Sequence, residues 1–144
     1  MKKIAELVTN REVYFVRTDQ TVQEAAHYMG ERNVGAVVVL EKDRLAGIFS
    51  ERDLMKRVVM RGLDPSKTKI EEVMTRELVS ADSEESYENC LRKMKQLNVR
   101  HLPVVRTGEL LGLVSLRDLL MIDLDEKDHE LKMMTAYIHY VPTK

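Results

Sequence analysis

Two short stretches of the chain carry the same polar residues at the same spacing. Residues 47–53 have the sequence GIFSERD and residues 112–118 have GLVSLRD. In each stretch a Ser stands where an apolar, strand-like segment meets a predicted helix, and an Asp follows three residues later. The amide groups and positive dipole at a helix N-terminus attract an anion, the Ser adds a hydroxyl donor, and the Asp can accept both hydroxyls of a ribose. A carboxylate repels a phosphate, so these groups would serve opposite ends of one ligand, as in a nucleoside phosphate.

A structural role explains part of the same pattern. Ser50 and Ser115 would act as N-caps, with Asp53 and Asp118 at the third helical position, and such a cap contributes roughly 1 kcal/mol to helix stability. A cap requires neither a Gly three residues earlier nor an Arg-Asp pair in both copies. The sequence therefore leaves two interpretations open, helix caps alone or helix caps that also hold a ligand.

The two stretches belong to a longer internal repeat. A constant offset of 65 aligns residues 25–54 with residues 90–119 without a gap, and ten of the thirty pairs are identical, whereas unrelated sequences agree at roughly one position in fifteen. Upstream, an offset of 66 aligns residues 4–9 with residues 70–75. A repeat of about 60 residues is near the lower limit for a self-sufficient core, so we expect the two halves to fold against each other.

The apolar pattern predicts an α+β fold in which each half has the order β-α-β-β-α. A capping box at Thr21 and Glu24 marks one helix start, and the uniformly apolar residues 34–40 indicate a strand covered on both faces. In the first half we expect a short helix within residues 1–12, strands at 13–16, 34–40 and 45–49, and helices that begin near residues 22 and 50, the second running to Met60. In the second half we expect strands at 78–80, 102–105 and 110–114, and a helix with a buried face of Tyr87, Cys90, Leu91 and Met94.

The repeat also divides the chain. We expect a first domain over residues 1–61, a linker at 62–69 that contains Gly and Pro, and a second domain over 70–120. Residues 121–144 have no counterpart in the first half. Their apolar spacing and many charges predict a C-terminal helical tail that packs on the domain or on a second subunit.

Composition excludes several classes of protein. A net charge of −1 and a pI near 6.4 offer no basic surface for nucleic acid, and the absence of an apolar run near 20 residues argues against a membrane span. The single cysteine, Cys90, cannot form an internal disulfide, and we expect it to be a core residue rather than a redox thiol. With four scattered His, it does not predict a metal site. A cytoplasmic location fits this composition.

Taken together, the motifs resemble a known family. The two stretches above, the sequence NVRHLPVV at residues 98–105 and the sequence EEVMT at residues 71–75 are similar to the cystathionine-β-synthase-type, or CBS, domain. The resemblance implies two CBS repeats packed about a pseudo-twofold axis. It also implies clefts that bind adenosine-type ligands such as AMP, ADP, ATP, NAD or S-adenosylmethionine.

The resemblance assigns roles residue by residue. Asp53 and Asp118 would bind ribose, and Ser50 and Ser115 would lie next to the phosphate. The adenine edge would meet the backbone of Gly35, Ala36 and Val37 in one half and of His101, Leu102 and Pro103 in the other. Arg17, Thr18 and Ser80 would close the clefts, and Arg52, Arg100 and Arg117 would supply positive charge, with Arg100 and His101 placed to meet phosphate.

The two halves depart from each other at the phosphate positions. Residues 100–103 have the sequence RHLP, whereas the aligned residues 35–38 have GAVV. One set of phosphate partners is therefore missing, so we expect unequal clefts and a ligand of low phosphate charge rather than a triphosphate.

These features predict a regulatory module that senses an adenine nucleotide, forms a homodimer and signals to a separate, unidentified protein. The alternative is a constitutive assembly module in which the clefts stay empty and the Ser/Asp pairs only cap helices. An enzyme is least favoured, because the sequence has no nucleophile–base pair and no metal-ligand spacing, and we assign no catalytic residue.

Overall fold

Two three-stranded sheets, one from each half of the chain, form the framework of the protein. The computed structural model describes the backbone of residues 2–139 and the side chains of residues 2–136. The first half contains α1 (Ile4–Val8), β1 (Phe15–Arg17), α2 (Val22–Arg32), β2 (Ala36–Glu41), β3 (Arg44–Ser50), α3 (Glu51–Asp53) and a π-helical segment (Leu54–Val59). The second half contains α4 (Ile70–Val73), β4 (Ala81–Asp82), α5 (Tyr87–Leu97), β5 (His101–Arg106), β6 (Glu109–Ser115) and α6 (Leu116–His139). The predicted α+β class, the two repeats and the C-terminal helix are confirmed.

The repeat in sequence is also a repeat in strand register. In each sheet the first strand is parallel to the middle strand, and the middle strand is antiparallel to the third. Ala36 pairs with Ser50, and 65 residues later His101 pairs with Ser115. Both sheets shift register at equivalent points, after Val39 and after Val104. The halves are thus two copies of one unit related by a pseudo-twofold axis.

The short first strand of each sheet differs from its predicted position. The sequence placed these strands at residues 13–16 and 78–80, but they comprise Phe15–Arg17 and Ala81–Asp82. Such short strands are defined by where they pair, and the buried residues Val16 and Ala81 lie opposite Val39 and Val104 of the middle strands. The apolar residues 78–79, which suggested a strand, are only half-buried.

Each sheet is covered by the short helix that precedes the other half. Ile4 and Val8 of α1 lie in the core of the second sheet, whereas Ile70 and Val73 of α4 lie in the core of the first. The two halves thus exchange their covering helices. Main-chain hydrogen bonds hold each helix on the opposite half: the Ile4 amide donates to the Glu85 carbonyl at 2.7 Å, and the Ile70 amide donates to the Gln20 carbonyl at 2.8 Å. The two halves therefore complete each other's cores, which agrees with the expectation that neither is self-sufficient.

The helices that follow Ser50 and Ser115 differ between the halves. After Ser50, α3 gives way to the π-helical segment, in which the Met60 amide bonds the Met55 carbonyl at 2.9 Å. After Ser115, α6 runs without a break through position 120 into the predicted tail; residues 140–144 of that tail lie outside the described residues. Every side chain from residue 127 to residue 136 is exposed. Within residues 2–139, no helix combines the length and apolarity needed to cross a membrane.

Cys90 lies in the core of the second sheet. Burial raises the pKa of its thiol to about 11, so the thiol stays protonated at neutral pH. Among the described residues, no group of three or more His, Cys, Asp or Glu side chains is arranged to hold a metal ion.

Candidate functional site

A cleft of about 1320 Å³ lies between the two halves and brings several predicted ligand residues together. Its lining comes from the chain after α1, from the end of α2, from the starts of β2 and β5, and from the start of α6. Seven of the predicted site residues line it, namely Gly35, Ala36, Arg100, His101, Ser115, Arg117 and Asp118. The cleft therefore contains residues predicted to contact adenine from both halves. Of the residues predicted to bind ribose and to lie next to the phosphate, it contains Asp118 and Ser115 of the second half but not Asp53 and Ser50 of the first.

The remaining predicted ligand residues do not line this cleft, namely Arg17, Thr18, Val37, Ser50, Arg52, Asp53, Ser80, Leu102 and Pro103. Several are engaged within their own half. The Arg17 guanidinium donates to the Lys42 carbonyl at 3.2 Å, and the Ser80 carbonyl accepts from the Lys93 ammonium at 3.0 Å. A second ligand site built from these residues stays a prediction.

Asp118 lies in the first turn of α6 and lines the cleft. The Ser115 hydroxyl accepts from the Asp118 amide and the Asp118 carboxylate accepts from the Ser115 amide, both at 3.0 Å. Arg11 reaches the same carboxylate with both terminal nitrogens, at 3.3 Å and 3.2 Å. Burial opposes ionisation, but the hydrogen bonds from Ser115 and Arg11 outweigh it, so the pKa of Asp118 lies below its usual value. Asp118 is therefore a carboxylate at neutral pH.

Asp53 makes the same helix cap but is held by different partners. Its carboxylate accepts from the Ser50 amide at 2.9 Å and from the Ser50 hydroxyl at 3.1 Å. The Thr75 hydroxyl donates to its other oxygen at 2.9 Å, and the Arg57 Nε lies 3.6 Å away. The Asp53 side chain is only 8% exposed, compared with 30% for the Asp118 side chain. The capping role predicted from sequence is thus present in both halves, but only the Asp118 carboxylate borders the cleft.

The Gly that begins each stretch is explained by close packing and not by the helix cap. A Cβ at Gly47 would lie 2.6 Å from the Thr75 carbonyl oxygen, and a Cβ at Gly112 would lie 2.9 Å from the Val8 Cβ. Thr75 and Val8 belong to the exchanged segments around α4 and α1. The Gly residues therefore allow the covering segments to approach the third strand of each sheet.

The charges around the cleft balance. Three Arg residues line it, Arg11, Arg100 and Arg117, together with three acids, Glu12, Glu51 and Asp118. His101 adds no charge at pH 7: burial, the largest influence, lowers its pKa below the usual value, although Asp118 and Glu51 act in the opposite direction. A cleft of zero formal charge suits a ligand with few phosphates better than a triphosphate.

Several side chains that contact the predicted ribose acids or line the cleft were not identified from sequence, and three of them are polar groups beside the predicted site residues. Arg11 contacts Asp118, Thr75 contacts Asp53, and Glu51 lines the cleft beside Gly35. Glu51 occupies the variable position of its stretch, so nothing marked it. Arg11 and Thr75 follow the exchanged helices and reach the acids over separations of 107 and 22 residues, which no local pattern indicates.

Comparison with known proteins agrees with this architecture. The family model described as the CBS domain matches the chain twice, over residues 4–60 and residues 70–125. Both matches include a sheet, the helix before it and the start of the helix after it.

Individual relatives support the same conclusion. The chain is 39% identical over 119 residues to the CBS domain-containing protein YhcV of Bacillus subtilis, which covers 83% of this chain and 84% of that protein. It is 34% identical over 126 residues to CBS domain-containing protein CBSX3, mitochondrial, of Arabidopsis thaliana, covering 84% of this chain but only 61% of the relative. Among solved structures, a CBS-domain containing protein of Agrobacterium tumefaciens superposes with a TM-score of 0.78 at 29% identity, covering 85% of this chain and 99% of that one.

Proposed function

Because the chain belongs to the CBS domain family, we propose that it is a regulatory module that senses an adenine nucleotide in the cleft beside Asp118. CBS domains generally bind adenosine-containing ligands, and stand-alone CBS pairs are generally non-enzymatic regulatory modules. The observation that carries the proposal is the position of Asp118 and Ser115 at one helix start on the wall of a cleft lined by both halves.

The chemistry of the cleft supports the assignment of ligand ends. The Asp118 carboxylate has acceptor positions for ribose hydroxyls, and Arg100 and Arg117 line the same cleft as partners for phosphate. The balanced charge favours AMP or NAD over ADP or ATP. Since the cleft lies between the halves, a bound ligand that favours one relative arrangement would shift their packing, and a separate protein would respond to that change.

Thermal melting with and without AMP, ADP, ATP and NAD at millimolar concentration tests the proposal. A ligand present at 100 times its dissociation constant adds about 2.7 kcal/mol to the free energy of unfolding, which raises the Tm of a domain this size by about 5–10 °C. We expect AMP or NAD to give the largest shift. If none of the four ligands moves the Tm, the sensing function is wrong.

That negative outcome would favour the alternative, a constitutive assembly module. The specific observation in its favour is that the cap hydrogen bonds engage the Asp53 and Asp118 carboxylates. In that case the Ser/Asp pairs would serve stability alone.

A homodimer is a further part of the proposal. Met55 and Val59 of the π-helical segment and Leu120 and Leu124 of α6 are exposed, and they are equivalent pairs at the offset of 65. The two halves therefore present matching apolar faces. Because the two apolar faces are equivalent, this surface can pack against the same surface of a second copy of the chain about a twofold axis.

Replacing both Val59 and Leu124 by Glu is expected to convert the dimer to a monomer. Each Glu would place an unpaired charge in the contact, which costs several kcal/mol and weakens association by about 100-fold or more. Light scattering at micromolar concentration measures the change. Leu97→Glu is the matched control, because Leu97 is also exposed but lies at the end of α5, outside the two matching faces. A double variant that remains dimeric would contradict this interface.

A further inference from the structure

We propose that Arg11 exchanges partners when the ligand binds, from the Asp118 carboxylate to the ligand phosphate, and that the cleft thereby selects a nucleotide over its nucleoside. This inference rests on the proposed nucleotide-binding function. It assigns a specificity-determining role to a residue that lies outside the repeated stretches and that the sequence pattern did not indicate.

Arg11 occupies acceptor positions of Asp118 that a ribose needs. Its two terminal nitrogens lie 3.3 Å from Oδ2 and 3.2 Å from Oδ1 of Asp118, and the Ser115 amide takes a further position on Oδ2. A carboxylate offers about four lone-pair positions in all. A ribose that bonds Asp118 through two hydroxyls therefore competes with Arg11.

Arg11 is able to leave because, among the described residues, its guanidinium bonds Asp118 alone. Its side chain is 46% exposed, and a half-exposed ion pair is weak enough to exchange. Asp118, in contrast, is fixed by the helix cap that it makes with Ser115. Ligand binding should therefore move the Arg11 guanidinium and leave Asp118 in place.

The corresponding position in the first half is built differently. Asp53 is contacted by the Thr75 hydroxyl at 2.9 Å, whereas Thr9, the counterpart of Thr75, donates instead to the Ala5 carbonyl at 2.7 Å. The residue aligned with Arg11 at the offset of 66 is Glu77. The cation beside Asp53 is Arg57, whose Nε lies 3.6 Å from the carboxylate while its Nη1 donates to the Met74 carbonyl at 2.8 Å. Arg57 is therefore anchored to the main chain as well, and it follows Asp53 on the same helical segment, whereas Arg11 reaches Asp118 from the other half of the chain.

A phosphate supplies the partner that a nucleoside lacks. The three Arg and three acidic residues of the cleft balance in formal charge. Once ribose hydroxyls cover Asp118, the Arg11 guanidinium has lost its carboxylate contact but remains within the cleft beside Arg100 and Arg117. A phosphate offers the guanidinium a charged, bidentate partner, whereas adenosine offers it none.

Titration calorimetry with AMP and adenosine on wild type and Arg11→Gln tests this exchange. Wild type is expected to bind AMP about tenfold or more tightly than adenosine, since hydrogen bonds to charged groups account for differences of this size. Arg11→Gln is expected to lose most of that preference, through weaker AMP binding and unchanged or tighter adenosine binding. Arg11→Lys, which keeps the charge without the bidentate geometry, should fall between them. Arg61→Gln, at an exposed position directly before the linker, is the control and should keep the wild-type ratio.

Three other outcomes would contradict the exchange or the function on which it rests, and the measurements distinguish them. If Arg11 only obstructs Asp118, Arg11→Gln will bind AMP and adenosine more tightly by the same factor, and the ratio will not change. If wild type binds neither ligand, the proposed function itself fails. If Arg11→Gln unfolds below the assay temperature, the AMP to adenosine ratio of Arg11→Lys decides, and a ratio equal to wild type rejects the exchange.

Discussion

Replacing Asp118 by Ala is expected to abolish the preference of the protein for AMP over 2′,3′-dideoxy-AMP. In wild type the two ribose hydroxyls would donate to the Asp118 carboxylate, and hydrogen bonds to a charged group contribute about 1.5–3 kcal/mol. We therefore expect wild type to bind AMP about 10- to 100-fold more tightly than the dideoxy analogue. In Asp118→Ala the two ligands should bind equally, because only the carboxylate distinguishes them.

Comparing the two ligands, rather than measuring AMP alone, separates ribose recognition from the effect of Arg11. Loss of Asp118 also releases Arg11, and a released guanidinium would strengthen phosphate binding for both ligands alike. Asp125→Ala, which removes an exposed acid from the same helix, should retain the wild-type preference in titration calorimetry. If Asp118→Ala still prefers AMP over the dideoxy analogue, the ribose lies elsewhere.

Replacing Gly47 by Ala is expected to lower the free energy of unfolding by about 3 kcal/mol. The added Cβ would lie 2.6 Å from the Thr75 carbonyl oxygen and 2.9 Å from the Met74 sulfur. The backbone at Thr75 cannot retreat without breaking its two hydrogen bonds with Ile48, at 3.0 Å and 2.8 Å. The strain therefore falls on the segment that covers the first sheet.

Urea denaturation measures this loss, and Gly30→Ala provides its control. Gly30 lies in α2 and a Cβ there would have no neighbour within 4 Å, so the more helix-favouring Ala should raise stability by up to about 1 kcal/mol. A Gly47→Ala variant as stable as wild type would show that the covering segment approaches β3 less closely than described.

The features that repeat along the chain were accessible from sequence because each depends on local spacing. The offset of 65 located the equivalent strands and both helix caps, and the cap geometry at Ser50 and Ser115 follows from residue types three positions apart. The same offset, carried back from Ala25 to Val16, would also have placed β4 at Ala81 instead of at the apolar residues 78–79. That error arose because a short apolar run was given more weight than the repeat.

The features that distinguish the two acids were not accessible, because they depend on contacts far apart in sequence. Both Asp residues have the same local cap, and only the exchange of α1 and α4 brings Arg11 to one and Thr75 to the other. The exchange also explains the Gly in each stretch, which a helix cap alone does not require. Single-sequence patterns describe what a residue does within its own element, and here the difference between the two acids comes from another element.

The exchange of covering helices also sets an order for folding during synthesis. The first sheet, complete by residue 50, lacks its cover until α4, residues 70–73, has left the ribosome. Residues 4–8, although translated earlier, pack against strands that end at residue 115. The nascent chain must therefore carry α1 without its apolar partner for about a hundred codons, and α1, although it precedes the other described helices, is among the last elements to reach its final place.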